Sequence, residues 1–253
     1  MLAEERQQKI LSILKVKSIL KLEEICKFTG CSESSARRDL QILEQQGFLI
    51  RIHGGAKLKR SLQSEPDMAG KAFENVQQKM EIAKYTATLV EKEDVIYLDA
   101  GSSTLAMIPY LDNNLQLTVV TNGVMHASEL ADRNIKTILI GGELKNTTKA
   151  IIGIGTIKEL LKYRFNKVFL GINGISSKYG YTTPDPDEAE LKITAGQQGE
   201  QRFVLADSSK FGQVSFVRVA KLNWATIITN KLPHVIFNKY NSLTEIREVP
   251  VIV

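Results

Sequence analysis

The sequence predicts an α/β protein in two parts, a small N-terminal helix-turn-helix unit with a β-hairpin and a larger unit built on a mainly parallel sheet. Three observations lead there. Residues 22–57 read as two short helices, a tight turn and a hairpin; beyond them apolar strand-like runs alternate with helical runs; and the excess positive charge is confined to one end. Of the 253 residues, the first 60 hold 12 Lys+Arg against 7 Asp+Glu, and the remainder hold 21 against 21, so the whole net charge of +5 lies in the small unit. This length suits one small and one larger domain. A basic footprint limited to one small unit suits contact with a phosphate backbone.

Taken in order, Leu2 to about Lys17 is an amphipathic helix with Ile10, Leu11, Ile13 and Leu14 as core candidates. Ile19–Lys21 suggests a short strand beside the hairpin. Leu22, Ile25, Cys26 and Phe28 recur at helical spacing, Thr29-Gly30-Cys31 supplies a turn, and Ser32 caps a second helix that runs to about Gln46. Ala36, Leu40 and Leu43 form its packing stripe. Gly47 stands as its C′ residue, and the stretch from Phe48 to Lys57 alternates and breaks at Gly54-Gly55 as a hairpin does. The hairpin makes this a winged helix-turn-helix, residues 1–57.

The second helix presents Ser32, Glu33, Ser34, Ser35, Arg37 and Arg38 at its start. A helix fits the DNA major groove, short serines permit close approach, and arginine pairs bidentately with guanine O6 and N7. Arg51, His53 and Lys57 on the wing are placed to meet phosphates. The competing reading makes Arg37 and Arg38 a solvated face paired with Asp39 and Glu44; the capped helix, Gly47 and the basic hairpin around them favour DNA.

Residues 58–70 mix Lys, Ser, Gln, Glu, Pro66 and Gly70 without apolar periodicity and read as a linker. The second domain, 71–253, opens with a helix expected over residues 71–91. Asp94–Asp99 then reads as a buried strand ending in Ala100-Gly101-Ser102-Ser103-Thr104, with a helical run from Leu105. Backbone N–H groups and hydroxyls at such a strand-to-helix loop hold a phosphate without a charged side chain. Further strands are expected at 117–121, 137–140, 167–172, 202–206 and 225–229, each ending in Gly, Ser, Thr, Asn or Asp. In a parallel sheet these ends form one crevice. Gly101, Ser102, Ser103 and Thr104 suit a phosphate, Asn122 and Asn173 suit sugar hydroxyls, Asp207 and Glu188 suit acceptance from hydroxyls, and Lys210 supplies a countercharge. Each of these residue types also serves ordinary turn chemistry.

Only two cysteines occur, Cys26 and Cys31, expected as buried reduced thiols, and none of His53, His126 and His234 completes a metal-ligand spacing. No metal or cofactor is expected. Charges begin at Glu4 and no apolar run is long enough for a signal peptide or a membrane span, so the expectation is a cytoplasmic protein without membrane association.

The runs Glu5-Arg6, Ile10, Ile13-Leu14, Cys31 to Leu40, Leu43-Glu44, Gly47 and His53 to Ala56 resemble the N-terminal motif of the DeoR-type bacterial transcriptional regulators. Ala36 departs from it, standing where the family more often carries a branched apolar residue. Asp99 to Thr104, Thr121-Asn122, Gly141-Gly142, Gly153, Gly171 to Gly174, Glu188 to Lys192 and Asp207 to Gly212 resemble the family's C-terminal domain in order, with a departure over Ala195 to Gln201. The resemblance implies a fold similar to ribose-5-phosphate isomerases, double-stranded operator DNA as partner, and a phosphorylated sugar that relieves repression. It adds Thr121 and Gly142 to the effector-contact residues named above. A homo-oligomer, dimer or tetramer, is expected, with operator half-sites that follow its symmetry. The opening segment Leu2 to Gln8 resembles fructose-operon repressors, which implies fructose 1-phosphate as effector. Two other readings stand beside the repressor: a sugar-phosphate isomerase or deaminase with an accessory DNA-binding domain, and a nonspecific DNA binder.

Overall fold

The computed structural model describes residues 2–17, 19–58, 62–63 and 67–250. Two compact units divide the chain at 61/62. Residues 59–61 and 64–66 of the expected linker lie outside the described residues; Leu58 closes a strand and Met68 opens a helix.

The small unit comprises helices Ala3–Lys17, Leu22–Thr29 and Glu33–Gln45 and an antiparallel sheet in the order Ile19–Lys21, Gly55–Leu58, Leu49–Ile52. Ile10, Leu14, Leu20, Ile25, Ala36, Leu40, Leu43 and Leu49 form its core. Ala36 is fully buried there. The helix Glu33–Gln45 ends as Gly47 was expected to end it: Gly47 takes φ +79°, its N–H donates to Glu44 O at 2.9 Å, and Phe48 N–H donates to Leu43 O at 2.9 Å. The hairpin turn differs from expectation. His53-Gly54 makes it, with Gly54 at φ +76°, and Gly55 is already in the strand. Gly55 is needed for closeness, since a Cβ there would lie 2.2 Å from the Leu20 carbonyl oxygen. Phe28 is 39% exposed, and Cys26 and Cys31 are unpaired and half-buried, so neither cysteine is the core thiol expected.

The larger unit is built on seven parallel strands in the order Ile246–Glu248, Thr226–Thr229, Gly199–Leu205, Phe165–Gly171, Val95–Leu98, Thr118–Thr121, Lys136–Leu139. Successive side chains feed opposite cores. Ile96, Leu98, Phe169, Phe203 and Leu205 pack on one face beneath Ile82 and Ala83 of helix Val76–Ala87. Tyr97, Val168, Leu170 and Val204 pack on the other beneath Leu191 and Ala195 of helix Pro186–Gln198. A sheet buried on both sides explains the nearly continuous apolar strand sequences. Chain direction through the sheet reverses between Val95–Leu98 and Phe165–Gly171, which sets a topological switch point at their carboxyl ends.

Several elements depart from the sequence reading. The single helix expected over 71–91 is two, Met68–Phe73 and Val76–Ala87, because Asn75 adopts the left-handed conformation at φ 52°. The helical run expected from Leu105 is one turn, Ser102–Leu105, followed by a 3-10 turn at Ile108–Tyr110 where Pro109 has no N–H to continue it. A hairpin, Glu143–Lys145 with Ala150–Ile152, and a small antiparallel sheet of Gly174–Ser176, Gly180–Thr183 and Val217–Ala220 were not expected. Within Ala195 to Gln201 the helix holds to Gln198, and Gly196 admits the Trp224 ring, which a Cβ would meet at 2.1 Å.

Candidate functional site

In the small unit, Ser32, Glu33, Ser34, Arg37 and Arg38 are exposed on the first turns of Glu33–Gln45, and Ser35 is half-buried. Ser32 Oγ accepts from Ser35 N–H at 3.4 Å, which caps the helix. Positions 33, 34, 37 and 38 share a face by their spacing. Arg51, His53 and Lys57 are exposed on the wing. The partners suggested for a solvated arginine pair are engaged elsewhere. Asp39, 2% exposed, accepts from Arg6 Nε at 2.5 Å and Gln7 Nε2 at 3.1 Å, and Glu44 accepts the Arg51 backbone N–H at 2.8 Å. Arg37 makes only an exposed contact with Glu33 at 3.3 Å, and Arg38 forms no ion pair among the described residues. Exposed pairs of this kind are worth little and yield readily to a better partner.

In the larger unit, the switch point holds a buried ion pair. Lys192, from helix Pro186–Gln198, donates to Asp99 Oδ2, which also accepts the Gly171 N–H at 3.0 Å, tying the ends of the two switch-point strands. The loop that follows Asp99 is shaped by Thr104, whose Oγ1 lies 2.5 Å from Asp99 O, 2.8 Å from Gly101 O, 3.1 Å from Gly101 N and 3.1 Å from His126 Nε2. Its single hydrogen serves a carbonyl, so His126 Nε2 carries the ring proton and Nδ1 is a buried acceptor without a partner. Ser102 is half-buried and Ser103 buried, and neither hydroxyl is hydrogen-bonded among the described residues.

Thr121 and Asn122 are buried and committed to the protein. Thr121 Oγ1 donates to Leu98 O at 2.7 Å; Asn122 Oδ1 accepts from Tyr97 Oη at 2.9 Å and Ala100 N–H at 3.0 Å, while Nδ2 donates to Ile151 O at 3.1 Å. Gly142, at φ +155°, is required by close packing, because a Cβ would fall 2.0 Å from Thr156 Oγ1. Asn173 Oδ1 accepts from Thr183 Oγ1 at 2.9 Å. Glu188, one helical turn before Lys192, accepts from Lys145 at 2.9 Å and Thr148 at 2.7 Å; Lys145 also pairs with Asp185 at 2.9 Å. Asp207 Oδ1 accepts from Asn75, Ser209 N–H and Ser209 Oγ, and Lys210 stands 4.0 Å from Oδ2. The structure thus brings Gly101–Thr104 to the switch point with Asp99 and Lys192, sets Glu188 one turn along the same helix, and groups Asp207 with Lys210. Sequence reasoning assigned no role to Asp99, Lys192, His126, Lys145 or Asn75. Lys192 carried a signal, its i, i+4 spacing from Glu188. Among the described residues, no group of three His, Cys, Asp or Glu side chains can hold a metal ion, and no helix is long and apolar enough to cross a membrane.

Burial pushes the His126 pKa down to about 4. The unfolded chain takes up this proton near 6.5 and the native state only near 4, so stability is full above 6.5 and falls as pH drops toward 4, by about 3 kcal/mol. His126→Gln is expected to remove this part of the slope, read by urea unfolding of both proteins across that range. Equal slopes would refute the assignment.

A winged helix with an exposed arginine pair, joined to a parallel α/β unit with polar loops at its switch point, defines a two-unit DNA-binding regulator. Residues 6–61 match the DeoR-like helix-turn-helix domain, and residues 74–231 match the DeoR C terminal sensor domain. The uncharacterized HTH-type transcriptional regulator FruR of Bacillus subtilis is 45% identical over 249 residues, 98% of this chain and 99% of that protein. The HTH-type transcriptional repressor GlcR of the same organism is 34% identical over 239 residues, 94% and 92% respectively. The chain belongs to the DeoR family of transcriptional regulators and is read as a regulator, not an enzyme. Among solved structures, ribose 5-phosphate isomerase A of Methanocaldococcus jannaschii matches with a TM-score of 0.41 at 18% identity, covering 54% of this chain and 55% of that one. The delta subunit of eIF2B from Chaetomium thermophilum matches at 0.46 and 15%, covering 89% and 70%.

Proposed function

We propose that this regulator represses a sugar uptake or catabolism operon as a homo-oligomer, dimer or tetramer, and releases its operator when a phosphorylated sugar, fructose 1-phosphate foremost, occupies the switch-point crevice. The observation that carries this reading is the loop Gly101–Thr104: it is held in shape by Thr104, yet among the described residues the Ser102 and Ser103 hydroxyls have no hydrogen-bond partner, at the carboxyl ends of the two switch-point strands. Small hydroxyls and backbone N–H groups in such a loop suit a phosphate. Lys192, Glu188 and Asn173 supply polar groups for the sugar. The choice of fructose 1-phosphate rests on the resemblance of the opening segment Leu2 to Gln8 to fructose-operon repressors. Release on binding requires the effector to favour the DNA-incompetent state, by about 1.4 kcal/mol for each tenfold change in operator affinity.

Thermal unfolding with fructose 1-phosphate, its isomers and free fructose tests this, because a ligand of the native state raises Tm. A shift with fructose 1-phosphate but not fructose is expected. Ser102→Glu, which places a negative charge where the phosphate would sit, is expected to bind operator normally and to be insensitive to the sugar phosphate. Normal release in that variant would move the phosphate elsewhere.

A further inference from the structure

Lys79 is 5% exposed in the first turn of helix Val76–Ala87, and its ammonium donates to the Lys71 carbonyl. Buried lysines are ordinarily held by a carboxylate. Lys79 has a carbonyl instead, and the charged groups that face it are Lys210 and Asp207 from the loop after Gly199–Leu205 and Glu74 and Lys71 from the preceding helix and its end. Asp207, 1% exposed, spends Oδ1 on Asn75 and Ser209 and keeps Oδ2 buried without a hydrogen-bond partner. Lys210 stands 4.0 Å from that oxygen, and Lys79 feels the charges of both Asp207 and Lys210.

We infer that Lys79 is a second cationic anchor for the phosphate of the effector, acting with Lys210 across the Asp207 loop; this rests on the reading of the crevice as a sugar-phosphate site. An ammonium has three N–H donors, and the Lys71 carbonyl takes one. Helix Val76–Ala87 packs against the turn Ser102–Leu105, and both belong to the same face of the sheet, whereas Lys192 and Glu188 come from the helix on the other face. This sets a polarity in the crevice. Ser102, Ser103, Lys79 and Lys210 take the phosphate, and Lys192, Glu188 and Asn173 take the sugar. Burial, then Lys210, lowers the Lys79 pKa to about 8. A phosphate, whose second pKa is about 6, is already a dianion there, and its charge restores the proton on Lys79. Affinity falls as pH rises through 8.

The test is titration of the full chain with inorganic phosphate and with fructose 1-phosphate, followed by calorimetry and thermal unfolding, for wild type, K79M, K79R and K210M. Both ligands are expected to bind K79M and K210M about tenfold or more weakly, K79R close to wild type. Unchanged binding of both ligands to K79M overturns the anchor. Inorganic phosphate binding that K79M loses, with no sugar phosphate bound by wild type, keeps the anchor and removes the effector reading; no binding of either to wild type removes both. Should K79M fail to fold, the wild-type pH series decides, because phosphate affinity that does not fall several-fold between about pH 7.5 and 9 excludes a titrating lysine at the site.

Discussion

Replacing Arg37 and Arg38 together by alanine is expected to strip the protein of most of its operator-specific binding while it stays folded and keeps its response to ligand. Each good bidentate arginine-guanine pair is worth about 1–3 kcal/mol of discrimination, so losing two weakens specific binding roughly 30- to 10⁴-fold. The structure separates this effect from folding. Both side chains are exposed, Arg37 touches only Glu33, and the buried stripe of the helix is Ala36, Asp39, Leu40 and Leu43. Alanine is also a good helix former, so unfolding should be nearly unaltered. Fluorescence anisotropy on duplexes that the wild-type protein selects from a random pool measures the loss. Operator affinity retained in the double variant would sink the assignment of this helix to base reading, and a uniform loss on all sequences would reassign the arginines to phosphates.

The second large effect is expected at Asp99. Asp99→Ala takes from the buried Lys192 ammonium the carboxylate that accepts from it, and takes the acceptor from Gly171 N–H. Breaking a buried pair from one side costs about 3–5 kcal/mol, which for a unit of this size is a fall of roughly 10 °C in Tm. Adding Lys192→Met to Asp99→Ala is expected to recover part of the loss, since the buried charge goes together with its carboxylate. A single-variant loss under about 1 kcal/mol by urea unfolding would show that water reaches the pair and that it does not hold the switch-point strands together.

The winged helix was legible nearly to the residue because its signals are local: a Ser cap at 32, glycine at 47 and a helical apolar stripe. The parallel sheet was legible because strands covered on both faces are continuous apolar runs, as at Val95–Leu98 and Phe165–Gly171. What escaped was short or non-local. Three-residue strands such as Glu143–Lys145 and Ile246–Glu248 are too brief to show a period, and the Asn75 break is fixed by Asp207, far along the chain. The polar loops were found by composition, but their division of labour was not. Nothing in the sequence separates Asn122, whose amide is consumed by Tyr97, Ala100 and Ile151, from Ser102, whose hydroxyl is left open. Lys79 was invisible for the same reason, as one lysine among many on a helix whose neighbours are set by the fold.

The inward face of the helix Glu33–Gln45 includes Asp39, paired with Arg6 and hydrogen-bonded by Gln7 from a different helix. Positions 33, 34, 37 and 38 lie on the exposed face and make only exposed contacts, Arg37 with Glu33 and Ser34 with Ser32, so exchanging their side chains costs the fold little. Gene copies of such a regulator can diverge to new operators by a few substitutions while keeping one scaffold, and a designer can do the same, randomising these four positions against a chosen duplex without first stabilising the domain.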